Sequence, residues 1–174
     1  MTPQDLKRLK VLLIDDEQFL RATMRQVLVQ IGVPHSNIYD ADSVETGVVE
    51  TMRVRPSLVL CDIHMDDEGG FAYVAKIRKM RVAEVAATPI VMLTSDATQH
   101  AVTMAKELSV DGYVVKPVTV NAIKRAMELA LRPDEPKPEE REGPALVIEG
   151  SIEELLIISG LVKELYDVKI TKRF

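Results

Sequence analysis

The sequence predicts an α/β protein: a five-stranded, all-parallel, doubly wound sheet with helices on both faces, followed by a smaller C-terminal α/β extension. Three observations carry this prediction. Runs of consecutive apolar residues, such as Val11-Leu12-Leu13-Ile14 and Ile90-Val91-Met92-Leu93, suit strands buried on both faces. Longer stretches between them place apolar residues at helical spacing. The two kinds alternate, and such alternation implies parallel pairing through right-handed crossovers.

Each element follows from local signals. The first strand, 11–14, ends at Asp15-Asp16. A helix over 18–31 carries Phe19, Leu20, Met24, Val27, Leu28 and Ile31 as a helical stripe and is stopped by Gly32 and Pro34. A short strand over 37–39 precedes a helix over 43–55, closed by Pro56. Leu58-Val59-Leu60-Cys61 forms the third strand and again ends in an acid, Asp62. Gly69-Gly70 introduces a helix over 71–82. The fourth strand, 90–93, stops at Thr94, and a helix over 97–108 follows. A fifth strand over 112–115 meets Lys116-Pro117 before a last helix over 120–131. These elements define a first domain, 1–132.

The segment PDEPKPEEREGP, 133–144, has four prolines and five acids, and reads as a stiff, solvated linker. Residues 145–174 turn apolar again, with a strand–helix–strand pattern and Ser151 spaced from Glu154 as in a capping box. A helix this apolar is expected to dock on its own domain, on a second copy as a homodimer, or on another protein. The tail is too short for the usual DNA-binding output domain, and its net charge is −4.

Composition sets outer bounds. The chain has 174 residues, is 47% hydrophobic and 28% charged, and carries a net charge of −5. That excludes a wholly disordered chain and argues against a nucleic-acid coat. No apolar run reaches the ~18 residues of a membrane span. The lone cysteine, Cys61, cannot form an internal disulfide, so a reducing cytoplasm is the expected home.

In doubly wound sheets ligands gather at the carboxyl ends of the strands, near the point where strand order reverses. The residues at those ends are Asp15-Asp16, Asp62, Thr94 and Lys116. Converging carboxylates repel by ~4 kcal/mol per pair at about 4 Å and an effective dielectric near 20. A divalent cation removes that cost, and a few hard oxygen donors suit Mg²⁺. With an ammonium from Lys116 and a hydroxyl from Thr94, the set matches a phosphoryl group and a carboxylate nucleophile.

LLIDDE, VLCDIHM, MLTSD and YVVKP, in this order and spacing, resemble the receiver domain of bacterial two-component response regulators, which has the flavodoxin-like, CheY-like fold. The resemblance covers residues 9–132. It implies that Asp62 is the phosphoacceptor, charged by a sensor histidine kinase or a phosphotransfer protein. It implies that Asp15, Asp16, Asp62 and the backbone carbonyl of His64 hold Mg²⁺, directly or through water. Lys116 would pair with Asp62 and then with the phosphoryl group. Thr94 would bind a phosphoryl oxygen and couple to Tyr113, the aromatic switch position. The predicted helices 97–108 and 120–131, with the strand 112–115, would be the readout face. The output would be protein–protein contact without an enzymatic domain, nucleic acid or membrane.

One stretch departs from the pattern. The family's loop usually reads Met-Pro-x-Met-Asp-Gly, whereas this chain has Met65-Asp66-Asp67-Glu68-Gly69-Gly70. The loop is expected to be less restrained without proline, and His64 is expected to influence phosphoryl lifetime. Plainer readings exist for single residues. Cys61 suits a small core position, and His35 and His100 lack metal-ligand companions at suitable spacing. Two other classes also stay open. One is a Mg²⁺-dependent phosphatase on a related fold, although His64 occupies the place where such enzymes usually have a second acid. The other is an oligomeric scaffold indifferent to phosphorylation.

Overall fold

The computed structural model describes residues 1–66, 68–95 and 99–132, and the side chains of residues 99–102 are not covered. The expected linker, Ser151 cap and strand–helix–strand tail lie outside the described residues. Five parallel strands form one sheet in the order β2-β1-β3-β4-β5: β1 Val11–Ile14, β2 Ile38–Ala41, β3 Leu58–Asp62, β4 Ile90–Thr94 and β5 Gly112–Val115. The chain steps from β1 to one neighbour, β2, and then crosses to the other, β3. The sheet therefore reverses its winding between β1 and β3, which opens a crevice beyond their carboxyl ends.

Alternation along each strand divides the core in two. Leu12, Ile14, Val59 and Cys61 face one layer with Tyr73, Val74 and Ile77. Val11, Leu13, Leu58 and Leu60 face the other with Leu28, Ile123 and Met127. Helices α3 (Val44–Val54), α4 (Gly70–Arg78), α5 (Ala83–Ala86) and α6 (Gln99–Glu107) cover the first side. Helices α1 (Pro3–Arg8), α2 (Gln18–Ile31) and α7 (Val120–Ala130) cover the second. The wholly apolar strands predicted from sequence are thus buried on both faces, as the helix layers require. Cys61 is a fully buried core residue that forms no disulfide. No helix among the described residues is long and apolar enough to cross a membrane.

Three boundaries differ from the expectation. The second strand runs over Ile38–Ala41, because a 3₁₀ turn, His35–Asn37, takes up the start of the expected 37–39 segment. The helix expected over 71–82 is broken into α4 and α5. Arg78, at the end of α4, turns its guanidinium onto the carbonyls of Ala86, Thr88 and Ser109 and onto the Asp111 carboxylate, which holds the intervening chain in a bend. Helix α1 was not anticipated. The Thr2 side chain accepts from the Asp5 amide, the Asp5 carboxylate accepts from the Thr2 amide, and Pro3 opens the helix. Leu6 and Leu9 then seal the core beside Gly32.

Candidate functional site

Strand register brings the strand-end residues together. Ile14 pairs with Cys61, so Asp15 emerges beside Asp62. Asp62 pairs with Leu93, one residue before Thr94, and Thr94 pairs with Val115, one residue before Lys116. The backbone amide of Lys116 donates to the Thr94 carbonyl at 2.6 Å, extending the ladder to the lysine itself. Its peptide bond to Pro117 is cis.

Lys116 is the centre of the charge arrangement. Its Nζ donates to Asp62 Oδ2 at 2.9 Å and lies 3.7 Å from Asp15 Oδ2. Both acids are buried, with 6% of Asp15 and 4% of Asp62 exposed, so their charges interact through little water. Burial raises the Asp15 carboxyl above its usual range, and the nearby Asp62 charge pushes the same way. The Glu17 amide, donating to Asp15 Oδ1 at 2.8 Å, and the Lys116 ammonium oppose the rise. An apolar cleft of about 300 Å³, walled by Met24, Val27, Pro117 and Val118, reaches Asp15 and Lys116 from the α2 side. Two carboxylates therefore share one ammonium in dry surroundings.

The other predicted residues fall around this centre. The third acid, Asp16, turns aside: its Oδ2 accepts from the Asp66 backbone amide at 2.8 Å. The His64 side chain is exposed, while its backbone amide approaches Asp62 Oδ1 at 3.4 Å. Asp16, Glu17, His64, Asp66 and Glu68 line an open cleft of about 590 Å³ beside the acid pair. Thr94 is fully buried at the end of β4. Tyr113 is buried in the core layer that also contains Ala105 of α6.

Among the described residues, no three His, Cys, Asp or Glu side chains are gathered closely enough to hold a metal ion by themselves. The donor chemistry nonetheless fits Mg²⁺, which binds through one or two carboxylates and keeps several waters. Asp15 and Asp62 supply such a pair beside the open cleft, where two carboxylates meet the single ammonium of Lys116. The residues present thus fit the ion, with Asp16 held off by Asp66.

Two supporting residues escaped the sequence reading. Arg21 Nη1 donates to the carbonyls of Asp15 at 2.6 Å and Asp16 at 3.2 Å, fixing the turn that presents both acids. The cue was an arginine on the first turns of the helix that follows the acid pair. Gly70 packs so tightly under β3 that an added Cβ would lie 2.0 Å from the Asp62 carbonyl oxygen. Its neighbour Gly69 has φ +77°, a left-handed conformation that favours glycine. Consecutive glycines were read only as a helix start, although they also mark a close backbone approach.

Comparisons with known proteins agree with this fold. A family model described as the response regulator receiver domain matches residues 11–128. The KDP operon transcriptional regulatory protein KdpE of Escherichia coli is 24% identical over 122 residues, which span 70% of this chain and 51% of that protein. The chain therefore aligns with about half the length of KdpE. A chemotaxis protein CheY homolog of Campylobacter jejuni is 27% identical over 121 residues, which span 69% of this chain and 90% of that one. The solved structure of chemotaxis response regulator CheY4 of Vibrio cholerae has the same fold, with a TM-score of 0.63 at 23% identity over 71% of this chain and 98% of the other. An acid pair around a lysine at the switch point of a β2-β1-β3-β4-β5 sheet, in a chain matched from β1 into α7, identifies this protein as a member of the response regulator receiver domain family.

Proposed function

We propose that the chain is a phosphorelay receiver in which Asp62 accepts a phosphoryl group from a phosphohistidine of a sensor kinase or phosphotransfer protein. The observation that carries this reading is the contact of Lys116 Nζ with Asp62 Oδ2 at 2.9 Å, with Asp15 Oδ2 at 3.7 Å. An Asp62 carboxylate oxygen attacks phosphorus, the new O–P bond forms, and the P–N bond breaks with its electron pair staying on the departing imidazole. Lys116 then follows the charge from the carboxylate to a phosphoryl oxygen, and the Thr94 hydroxyl donates to another.

Receiver domains generally bind Mg²⁺ for this chemistry, which neutralises charge on the transferring group. In this chain Asp15, Asp16, Asp62 and the His64 carbonyl would hold it. Thr94 and Tyr113 lie on adjoining strands, β4 and β5, so a shift at Thr94 has a short route to the aromatic ring. The added charge of about −1.5 to −2 biases that element provided its two states contact the phosphoryl group differently. The protein acts in the cytoplasm, signals by protein contact rather than by turning over an independent substrate, and carries a 133–144 linker and a 145–174 tail that docks or self-associates.

Incubation with a small-molecule phosphodonor and Mg²⁺, followed by a phosphate-affinity gel, tests the reading. Wild type shifts and Asp62→Asn does not; a missing wild-type shift, or its survival in Asp62→Asn, contradicts the assignment. His64 is exposed and lines the open cleft, and in this reading it limits water access to the phosphoryl group. Removing it as His64→Ala speeds decay of the phosphoprotein by roughly threefold, a barrier change of about 0.6 kcal/mol. Equal decay rates would remove His64 from this role.

A further inference from the structure

The residue at the position where the family's loop usually has proline is Asp66, and its backbone N–H is in use. It donates to Asp16 Oδ2 at 2.8 Å, across fifty residues of sequence, and ties the segment after β3 to the acid that follows β1. Asp66 is exposed and Asp16 is half-buried, so the bond lies at the wet edge of the site rather than in its dry centre. Asp15 and Asp62 meet Lys116 on the other side. The three acids are therefore split, two toward the ammonium and one toward a main-chain donor.

We propose that the Asp66 amide is a latch on Asp16, and that a divalent cation which draws Asp16 toward Asp15 and Asp62 must release it. Cation binding and the conformation of the chain after the phosphoacceptor are then linked. By reciprocity, the cation weakens the latch by the same factor by which the latch weakens the cation, and removing the latch strengthens cation binding. The group responsible is a backbone amide, so the side chain of Asp66 and its N–H have separable effects. The carboxylate adds negative charge near the cation, which favours binding, while the N–H competes for Asp16. This inference rests on the reading of Asp15, Asp16 and Asp62 as a magnesium site.

Hydrogen exchange at single amides, measured on the full chain by two-dimensional NMR with and without magnesium chloride, tests the release. Exchange at the Asp66 amide quickens when magnesium saturates the protein. Two variants isolate the donor: Asp66→Ala keeps the N–H and loses the acid, and Asp66→Pro loses both. Asp66 lies outside the positive-φ region, a condition proline also requires. The proline variant binds magnesium about three- to tenfold more tightly than the alanine variant, the range expected for one hydrogen bond at a wet carboxylate. Magnesium that binds while the Asp66 amide keeps its exchange rate, or equal affinities for the two variants, overturns the latch and leaves the metal site standing. If the proline variant does not fold, exchange in wild type alone decides. Absence of any magnesium effect on wild-type spectra overturns the metal site and the latch together.

Discussion

The two ends of the sheet each bury an ion pair, and the pairs are built to opposite effect. At the amino end, Arg78 meets Asp111 at 3.1 Å, and the pair is enclosed by further bonds. The guanidinium also serves the Ala86, Thr88 and Ser109 carbonyls, and Asp111 Oδ2 also accepts from the Ile90 amide at 2.9 Å. One cation faces one anion, and main-chain groups supply four further hydrogen bonds to the pair. At the carboxyl end, Lys116 faces two buried anions and the nearby Asp16 is tied elsewhere. The first arrangement is electrostatically closed and holds α4, α5, β4 and β5 together. The second is short of positive charge, which is the condition for recruiting a cation and moving a lysine onto an incoming anion. A buried ion pair is therefore no guide to role until the groups around it are followed.

This contrast yields graded tests. The largest effect is at Asp62: Asp62→Asn abolishes phosphorylation while leaving the fold intact, as judged by a cooperative thermal transition. Next, Arg78→Ala leaves Asp111 buried without its guanidinium and should destabilise the protein by about 3–5 kcal/mol in urea unfolding. Phosphorylation below the transition should persist. A loss under 1 kcal/mol would show that the amino-end clamp is not holding the fold. Gly70→Ala forces a Cβ against the Asp62 carbonyl and should cost about 1–3 kcal/mol. Unlike Arg78→Ala, it should also slow phosphorylation, because it displaces the acceptor strand. The smallest effect has the opposite sign. Asp15→Asn relieves the crowding of two carboxylates on one ammonium and should stabilise the magnesium-free protein by about 1 kcal/mol, roughly 2–4 °C in Tm. The same change should weaken the thermal shift that magnesium produces. A destabilised Asp15→Asn would mean that Lys116 alone balances both acids.

Sequence carried much of this. The strands were legible because their apolar runs are bounded by breakers and charges, and Asp15, Asp62, Thr94 and Lys116 were legible because a parallel sheet collects strand ends. The break between α4 and α5 was not, since Met80 and Val82 continue an apolar pattern that Arg78 overrides through carbonyls distant in sequence. Helix α1 has its signal in Thr2-Pro3 and Asp5, a capping-box spacing with proline at the first helical position. The deflection of Asp16 could not be read, because its partner is a main-chain N–H whose position depends on the folded loop. The same holds for Gly70, whose constraint comes from the backbone of another strand end rather than from its own helix.

Mapping the modified residue tests the central claim most directly. Wild-type protein is charged with a small-molecule phosphodonor and magnesium, the acyl phosphate is trapped by reduction, and the peptides are sequenced by mass spectrometry. The account predicts a single reduced site, at Asp62. A trapped site at Asp15, Asp16 or any other acid, with Asp62 unchanged, would contradict it.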